Sequence, residues 1–130
     1  MAISIVSSNI NKSANTIEIY RGQSKTFEVT IVDDSGNPAD LLGATLYFSV
    51  KRDLYDQTPI IRKTTATSLE AEILIPTTQG KARFYLVPTD TIVSDVGKYI
   101  FDIWVRLASG RVYPVVEPSE FNIKAGVTVF

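Results

Sequence analysis

The sequence predicts an all-β fold, a sandwich of two sheets built from about seven to nine antiparallel strands. Three observations lead to this prediction. Apolar and polar residues alternate with a period of two through most of the 130 residues. Clusters of turn residues separate the alternating runs, and no long segment shows the helical period. Because strands follow one another without helices between them, a sandwich is favoured over a parallel sheet.

The first elements set the proposed boundaries of the domain. Residues 1–13 are predicted to form an arm, and residues 14–130 a single domain. A short strand is expected from Thr16 to Tyr20. The next run, Ser24 to Val32, alternates most regularly, so one face should be buried and the other wet. Its inward side chains are predicted to be Phe27, Val29 and Ile31.

Three further runs continue the alternation, and a shorter one from Pro59 to Thr64 is expected to form an edge strand. These runs extend over residues 44–52, 69–75 and 81–86. Their predicted inward residues are Leu46, Phe48, Val50, Ala71, Ile73, Ile75, Ala82, Phe84 and Leu86. The basic pairs Lys51-Arg52 and Arg62-Lys63 are interpreted as solvated strand faces.

The longest predicted strand covers Lys98 to Ala108, and turn signals bound it and the other runs. Its inward residues are expected to be Tyr99, Phe101, Ile103, Val105 and Leu107. Residues 33–38 form a turn cluster, in which Gly36 can adopt a positive φ. Residues 77–80 separate two strands, and Ser109-Gly110 is typical of a hairpin.

The segment before this strand makes the prediction more specific. Asp95, Gly97 and Tyr99 have the spacing of the tyrosine corner of immunoglobulin-like domains, in which the ring packs inward and its hydroxyl bonds upstream backbone. The alternative is a chance Gly-x-Tyr at a strand start. Phe101 stands where antibody domains place a cysteine, so an apolar contact between the sheets is expected there. The predicted sandwich is therefore immunoglobulin-like.

This register directs Ile100, Asp102 and Trp104 outward. An outward tryptophan needs a cover, which could be the arm of residues 1–13 or a binding partner, since tryptophan is enriched at binding hot spots. A wrong register is the third explanation. Trp104, Ile100 and Tyr113 are the candidate interaction residues.

The composition disfavours most catalytic and metal-binding functions. The chain has no histidine and no cysteine, which removes the commonest general base and the thiolate and imidazole metal ligands. We therefore expect no catalytic residues, no enzyme activity and no cofactor. Acidic residues cluster near turns, at Asp33, Asp34 and Asp40 above all. Calcium binding is one explanation for such a cluster, but hydrogen bonds to the backbone of the turns explain it more simply, so no metal site is expected.

Charge and hydropathy bear on partners and location. With 13 basic and 14 acidic residues the net charge is −1, which disfavours nucleic acid. No apolar run is long enough to span a bilayer and no signal peptide is recognisable, so membrane association and export are not expected.

Residues 19–128 resemble the N-terminal domain of phage baseplate upper proteins. The likeness is carried by residues 20–27, by the turn and strand of residues 32–48, and by residues 97–103, 108–113 and 120–123. In that family the module begins a longer chain, whereas this chain stops at Phe130. The resemblance implies a non-enzymatic component of a virion, in the baseplate, tail, neck or capsid surface, made in the host cytoplasm.

The partners implied by this role are other virion structural proteins, and repeated copies of the chain, since virion parts are usually symmetric. The main alternative is a carbohydrate-binding sandwich, in which Trp104 and Tyr113 form a platform for a sugar. An adhesin-like module is a third possibility, although such modules normally carry an export signal or tandem copies.

Overall fold

The computed structural model describes residues 3–8, 16–33 and 35–128, and it confirms the predicted immunoglobulin-like sandwich. Within these residues nine strands form. They are β1 Ile3–Ser8, β2 Ile17–Tyr20, β3 Lys25–Asp33, β4 Thr45–Lys51, β5 Ile61–Thr64, β6 Ala71–Ile73, β7 Lys81–Leu86, β8 Gly97–Arg106 and β9 Val112–Lys124. A 3₁₀ turn at Thr77–Gln79 precedes β7, and a four-residue helix, α1 at Pro88–Thr91, follows it.

The strands divide into two sheets. The four-stranded sheet has the order β1-β3-β7-β6, and the five-stranded sheet has the order β2-β9-β8-β4-β5. Neighbouring strands pair antiparallel except β2 and β9, which run parallel and align Ile17 with Phe121. This parallel pair departs from the antiparallel arrangement expected from the sequence, because local alternation does not encode which distant strand becomes a neighbour.

The predicted arm contributes a strand to the four-stranded sheet. Residues 3–8 pair antiparallel with β3 over six register positions, from Ile3 opposite Asp33 to Ser8 opposite Glu28. The chain then contributes β2 to the other sheet. The other residues of the predicted arm, which are 1, 2 and 9–13, lie outside the described part of the chain.

Five phenylalanine rings fill the space between the sheets. Phe27 and Phe84 stack within the four-stranded sheet with ring centroids 5.3 Å apart. Phe48 contacts both of them, at 5.3 and 5.7 Å, and reaches Phe101 and Phe121 in its own sheet at 5.7 and 6.2 Å. Phe48 is therefore the ring that joins the two sheets, whereas the ring contacts of Phe101 lie within its own sheet.

Most predicted inward residues are buried, and two expectations were wrong. Ile75 is strongly exposed, because β6 ends at Ile73 and the chain turns away before Ile75. Lys63 is buried instead of solvated. Alternation places Lys63 on the inner face of β5, two residues after the buried Ile61, and an ion pair with Asp90 neutralises it there.

Candidate interaction surface

The outer face of the five-stranded sheet carries a group of aromatic and basic side chains, Tyr47, Trp104 and Arg106, which we term the aromatic cluster. Trp104 on β8 lies directly opposite Tyr47 on β4. Arg106, two residues further along β8, places its guanidinium carbon 5.7 Å from the centroid of the Tyr47 ring. Because side chains two residues apart share a face of a strand, all three project from the same surface.

Trp104 is held in position while its ring stays accessible. Its indole Nε1 donates a hydrogen bond to Oδ2 of Asp102 at 3.0 Å, and 38% of the residue is exposed. Asp102 precedes Trp104 by two residues on the same face of β8. A fixed, partly exposed ring loses little conformational freedom when a partner covers it.

Ile100 lies on this same outer face, further along β8. It is half-buried and lines a shallow cavity of about 50 Å³ with Leu54, Lys51 and Pro118. The outward direction expected for Ile100 and Trp104 is therefore what the structure shows, and the two residues are four positions apart on one strand.

Tyr113 does not join this surface, contrary to its place in the predicted platform. It pairs with Val105, is half-buried, and packs against the hydrophobic core. The cause is the register of the β8–β9 hairpin, which sets Tyr113 opposite the buried Val105. Directly opposed residues of two paired strands project from the same face of the sheet, so Tyr113 points inward with Val105.

The arm does not supply the expected cover for Trp104 over its described residues. The strand formed by Ile3–Ser8 belongs to the four-stranded sheet, whereas Trp104 projects from the outer face of the five-stranded sheet. The remaining explanations for an outward tryptophan are a binding partner or residues outside the described part of the chain.

The tyrosine corner has the geometry that its sequence spacing predicts. Tyr99 is 3% exposed, and its hydroxyl donates a hydrogen bond to the carbonyl oxygen of Asp95 at 2.6 Å. Gly97 adopts φ 155° between them. The guanidinium of Arg52 lies 5.5 Å from the centre of the Tyr99 ring and 3.3 Å from the Asp95 carboxylate. The corner is thus a structural element that anchors the start of β8.

The acidic residues near turns bond backbone groups of those turns. Oδ1 of Asp33 accepts hydrogen bonds from the N–H groups of Ser35 and Asn37, at 2.9 and 3.0 Å. Oδ1 of Asp40 accepts from the N–H of Leu42 and from the hydroxyl of Thr77. No group of three or more potential metal ligands occurs among the residues described, and Asp34 lies outside them.

The outer face of the four-stranded sheet carries a polar ladder that the sequence analysis did not single out. Arg83 on β7 bonds Glu28 on β3 at 2.9 Å and lies 3.7 Å from Glu72 on β6. The Tyr85 hydroxyl donates to Oε1 of Glu72 at 2.5 Å, and this bond raises the pKa of Tyr85. The two outer faces therefore differ, one being a charge ladder and the other an aromatic cluster.

The fold is similar to several solved structures. CopC from Methylosinus trichosporium OB3b matches with a TM-score of 0.50 at 11% identity, over 97% of this chain and 99% of that one. The Lin-41 filamin domain matches at 0.48 and 17%, over 95% and 93%. Domains 4 and 5 of the S-layer protein SbsC match at 0.42 and 15%, over 92% and 50%. At these identities the likeness shows the fold alone.

Comparisons of the sequence itself give no match, either to a protein-family model or to a curated protein. Across the described residues, the structure contains no helix of the length and apolar character that crossing a bilayer requires.

Proposed function

We propose that this chain is a non-enzymatic interaction module of a phage particle, which binds other virion proteins through its aromatic cluster. The observation that carries the proposal is the exposed Trp104 held against Asp102, with Tyr47 opposite it and Arg106 beside it. Tryptophan, tyrosine and arginine are the residues most enriched at binding hot spots, and such residues cluster near the centre of an interface. Their position at the middle of a sheet, on rigid strands, suits them to bind a preformed partner surface.

The non-enzymatic part of the proposal is supported by how the acidic side chains are used. With no histidine or cysteine in the chain, carboxylates are the main remaining source of acid–base chemistry. Asp33 and Asp40 bond turn backbone, Asp90 pairs with a buried lysine, and Asp102 holds Trp104. Each of these carboxylates therefore already has a structural partner.

The virion part of the proposal rests on the resemblance of residues 19–128 to the N-terminal domain of phage baseplate upper proteins. It implies synthesis in the host cytoplasm and assembly into particles in repeated copies, with no role for nucleic acid or membrane. A module of this kind acts by connecting other structural proteins, which requires a stable sandwich and an exposed contact surface.

Site-specific photo-cross-linking tests the proposed contact. The photoreactive residue p-benzoylphenylalanine replaces Trp104 in one variant, and Thr26, on the outer face of the opposite sheet, in a matched control. During particle assembly the Trp104 variant should cross-link to another virion protein, and the Thr26 variant should not. Purified particles that lack the chain would contradict the virion role, and equal labelling from both positions would contradict the assignment to the aromatic cluster.

Carbohydrate binding is a second candidate, because Trp104 and Tyr47 are adjacent aromatic rings with a carboxylate beside them. Trp104 is the only tryptophan of the chain, so its fluorescence reports this surface alone. Titration with a panel of neutral and acidic oligosaccharides should leave the emission unchanged if the cluster binds protein. A saturable change that Tyr47→Ala abolishes would favour the carbohydrate function instead.

A further inference from the structure

We propose that the molecule covering the aromatic cluster is a second copy of this chain, and that two five-stranded sheets pack their outer faces together around a two-fold axis. The inference rests on the function proposed above, because it names the partner of the same surface. Two features of this face carry it: opposite charges on the two sides of the aromatic cluster, and the placement of these charges and rings about a single axis.

The two sides of the aromatic cluster carry opposite charges. β8, which contains Trp104, lies between β4 and β9, and β5 follows β4 at the edge of the sheet. Lys51 on β4 and Arg62 on β5 project from the outer face and form a basic side. Glu117 and Glu120 on β9 are both exposed and form an acidic side. The face is therefore basic toward one edge and acidic toward the other.

These four charged side chains are available to another molecule. The ion pairs among the described residues all join other side chains. One of those pairs, Lys124 with Glu18 at 2.6 Å, neutralises two further charges near the β2 edge of this sheet. Charges arranged in this way give specificity to an association, because they are satisfied only by a surface with the opposite pattern.

Arg62 and Glu117 lie at the same level along the strands, on opposite sides of β8. Arg62 is opposite Ser49 on β4, and Ser49 is opposite Asp102 on β8. Glu117 lies in the irregular part of β9 that faces Asp102, between the residues that pair with positions 103 and 101. Its neighbour Pro118 lines the shallow cavity on this outer face. A line drawn across the sheet at Asp102 thus passes both charges.

A two-fold axis parallel to the strands, between β4 and β8, brings opposite groups together. β5 and β9 are equally far from this axis, so Arg62 of each copy lies over Glu117 of the other. Tyr47 and Trp104 are directly opposed across β4 and β8, so Tyr47 of each copy lies over Trp104 of the other. Each contact occurs twice, as an isologous dimer requires.

The lengths of these side chains suit the packing of two sheets. Sheets packed face to face lie about 10 Å apart, with strand directions within about 30° of each other. An arginine and a glutamate together span that gap, and the aromatic rings fill its centre. Paired rings are favourable beyond the area that they bury, and the hydrogen bond from Trp104 to Asp102 fixes one ring before association.

Arg106 opposes the pairing and bears on its salt dependence. The same axis brings the two Arg106 side chains near each other, because Arg106 lies two residues beyond Trp104 on β8. Each guanidinium lies over the ring of Tyr47, which offsets part of this repulsion. The two contacts between arginine and glutamate outnumber the single repulsion, so the Kd should rise with ionic strength.

Sedimentation equilibrium of the full chain over a concentration series tests the proposal. We expect a reversible monomer–dimer equilibrium. Arg62→Glu and Glu117→Arg should each raise the Kd at least about tenfold, because each sets two pairs of like charges opposite each other. Lys81→Glu is the matched control, since it reverses an exposed charge on the outer face of the four-stranded sheet. A monomer at every concentration, or an equal loss in Lys81→Glu, would overturn the proposal.

An equimolar mixture of Arg62→Glu and Glu117→Arg tests the pairing of these two positions. In the mixed dimer both contacts again join opposite charges, so association should return to a Kd near that of the unmodified chain. No other partner of the surface would produce this rescue between two copies. If the mixture dissociates as readily as the separate variants, the proposed contact is wrong.

Tryptophan fluorescence locates the contact, since Trp104 is the only tryptophan of the chain. Its emission should shift to shorter wavelength as the protein concentration rises through the Kd, because the second copy removes a 38% exposed residue from water. In Arg62→Glu the same shift should require a higher concentration. A dimer that forms without any change in emission would place the contact elsewhere and overturn the proposal.

Photo-cross-linking from position 104 separates this inference from the function on which it rests. In particles the cross-link should join two copies of this chain. Cross-linking to a different virion protein, together with a monomeric purified chain, would overturn the contact between copies and support the virion role. A purified chain that dimerises through this face but is missing from particles would support the contact and contradict the virion role.

Discussion

The ammonium nitrogen of Lys63 lies 2.9 Å from a carboxylate oxygen of Asp90, and the two side chains are only 8% and 15% exposed. The pair joins β5 to the helix α1 that follows β7. Asp90 also accepts a hydrogen bond from the N–H of Val87 at 2.7 Å, so one carboxylate both begins α1 and neutralises a buried lysine.

Removal of the Asp90 charge should destabilise the fold strongly. In Asp90→Asn the ammonium of Lys63 is left buried without a counter-charge, and we expect a loss of about 3–5 kcal/mol in the free energy of unfolding. Urea denaturation measures it. Asp95→Asn is the control, because its ion pair with Arg52 is exposed and should contribute less than about 1 kcal/mol. Equal losses in the two variants would show that Lys63 finds another partner or solvent.

The corner hydroxyl should contribute a measurable part of the stability. Tyr99→Phe removes the bond to the Asp95 carbonyl while keeping the buried ring, so the free energy of unfolding should fall by about 1 kcal/mol. Tyr55→Phe, at a strongly exposed position, should change it by much less. Thermal and urea unfolding of the unmodified protein and of the two variants measure these differences. An unchanged free energy of unfolding in Tyr99→Phe would mean that water replaces the bond.

Gly80 occupies a position that no side chain fits. It has φ 68°, and a Cβ there would lie 2.4 Å from the carbonyl oxygen of Ile31. Gly80→Ala should therefore cost at least about 2 kcal/mol, from the left-handed backbone and the clash together. Gly36→Ala separates the two effects, since Gly36 has φ 83° and none of the described residues comes within 4 Å of a Cβ added there. It should cost about 1 kcal/mol. Equal costs would show that the backbone near Ile31 moves freely.

The contribution of the polar ladder to the stability of the fold should decrease at alkaline pH. The hydrogen bond to Glu72 raises the pKa of Tyr85 above its ordinary value of 10.0, because it stabilises the protonated phenol beside a carboxylate. The raised pKa belongs to the folded state, so its contribution is fully present below the unfolded pKa. It is lost as the pH rises through the folded pKa.

Absorbance at the phenolate band measures this titration. In the unmodified protein one tyrosine should ionise at a higher pH than an ordinary tyrosine, and this late step should be absent from Tyr85→Phe. Glu72→Gln should lower the pKa of Tyr85 again. If the late-titrating tyrosine persists in Tyr85→Phe, the shifted group is a different residue.

Sequence patterns predict the parts of this fold that local alternation governs. Residues 81–86 form β7 with the predicted bounds, and Tyr99 has the predicted corner bond, because both depend on side chains within a few positions of each other. The outward direction of Trp104 follows from the same alternation.

Features that depend on distant neighbours were not predictable in this way. Tyr113 faces the core because the hairpin register sets it opposite the buried Val105, eight residues earlier in the chain. Lys63 is buried because Asp90, in a helix after another strand, reaches it. Ile75 is exposed because the strand ends two residues earlier, although the apolar alternation continues.

The parallel contact between β2 and β9 has a consequence for how the sandwich bears load. Four aligned positions, from Ile17 with Phe121 to Tyr20 with Lys124, hold the two strands side by side. A tensile force that pulls residue 17 and residue 124 toward opposite ends acts along both strands, in shear. The bonds between the strands must then yield together instead of opening one at a time, and this edge of the domain should resist stretching better than a hairpin pulled open from its free end.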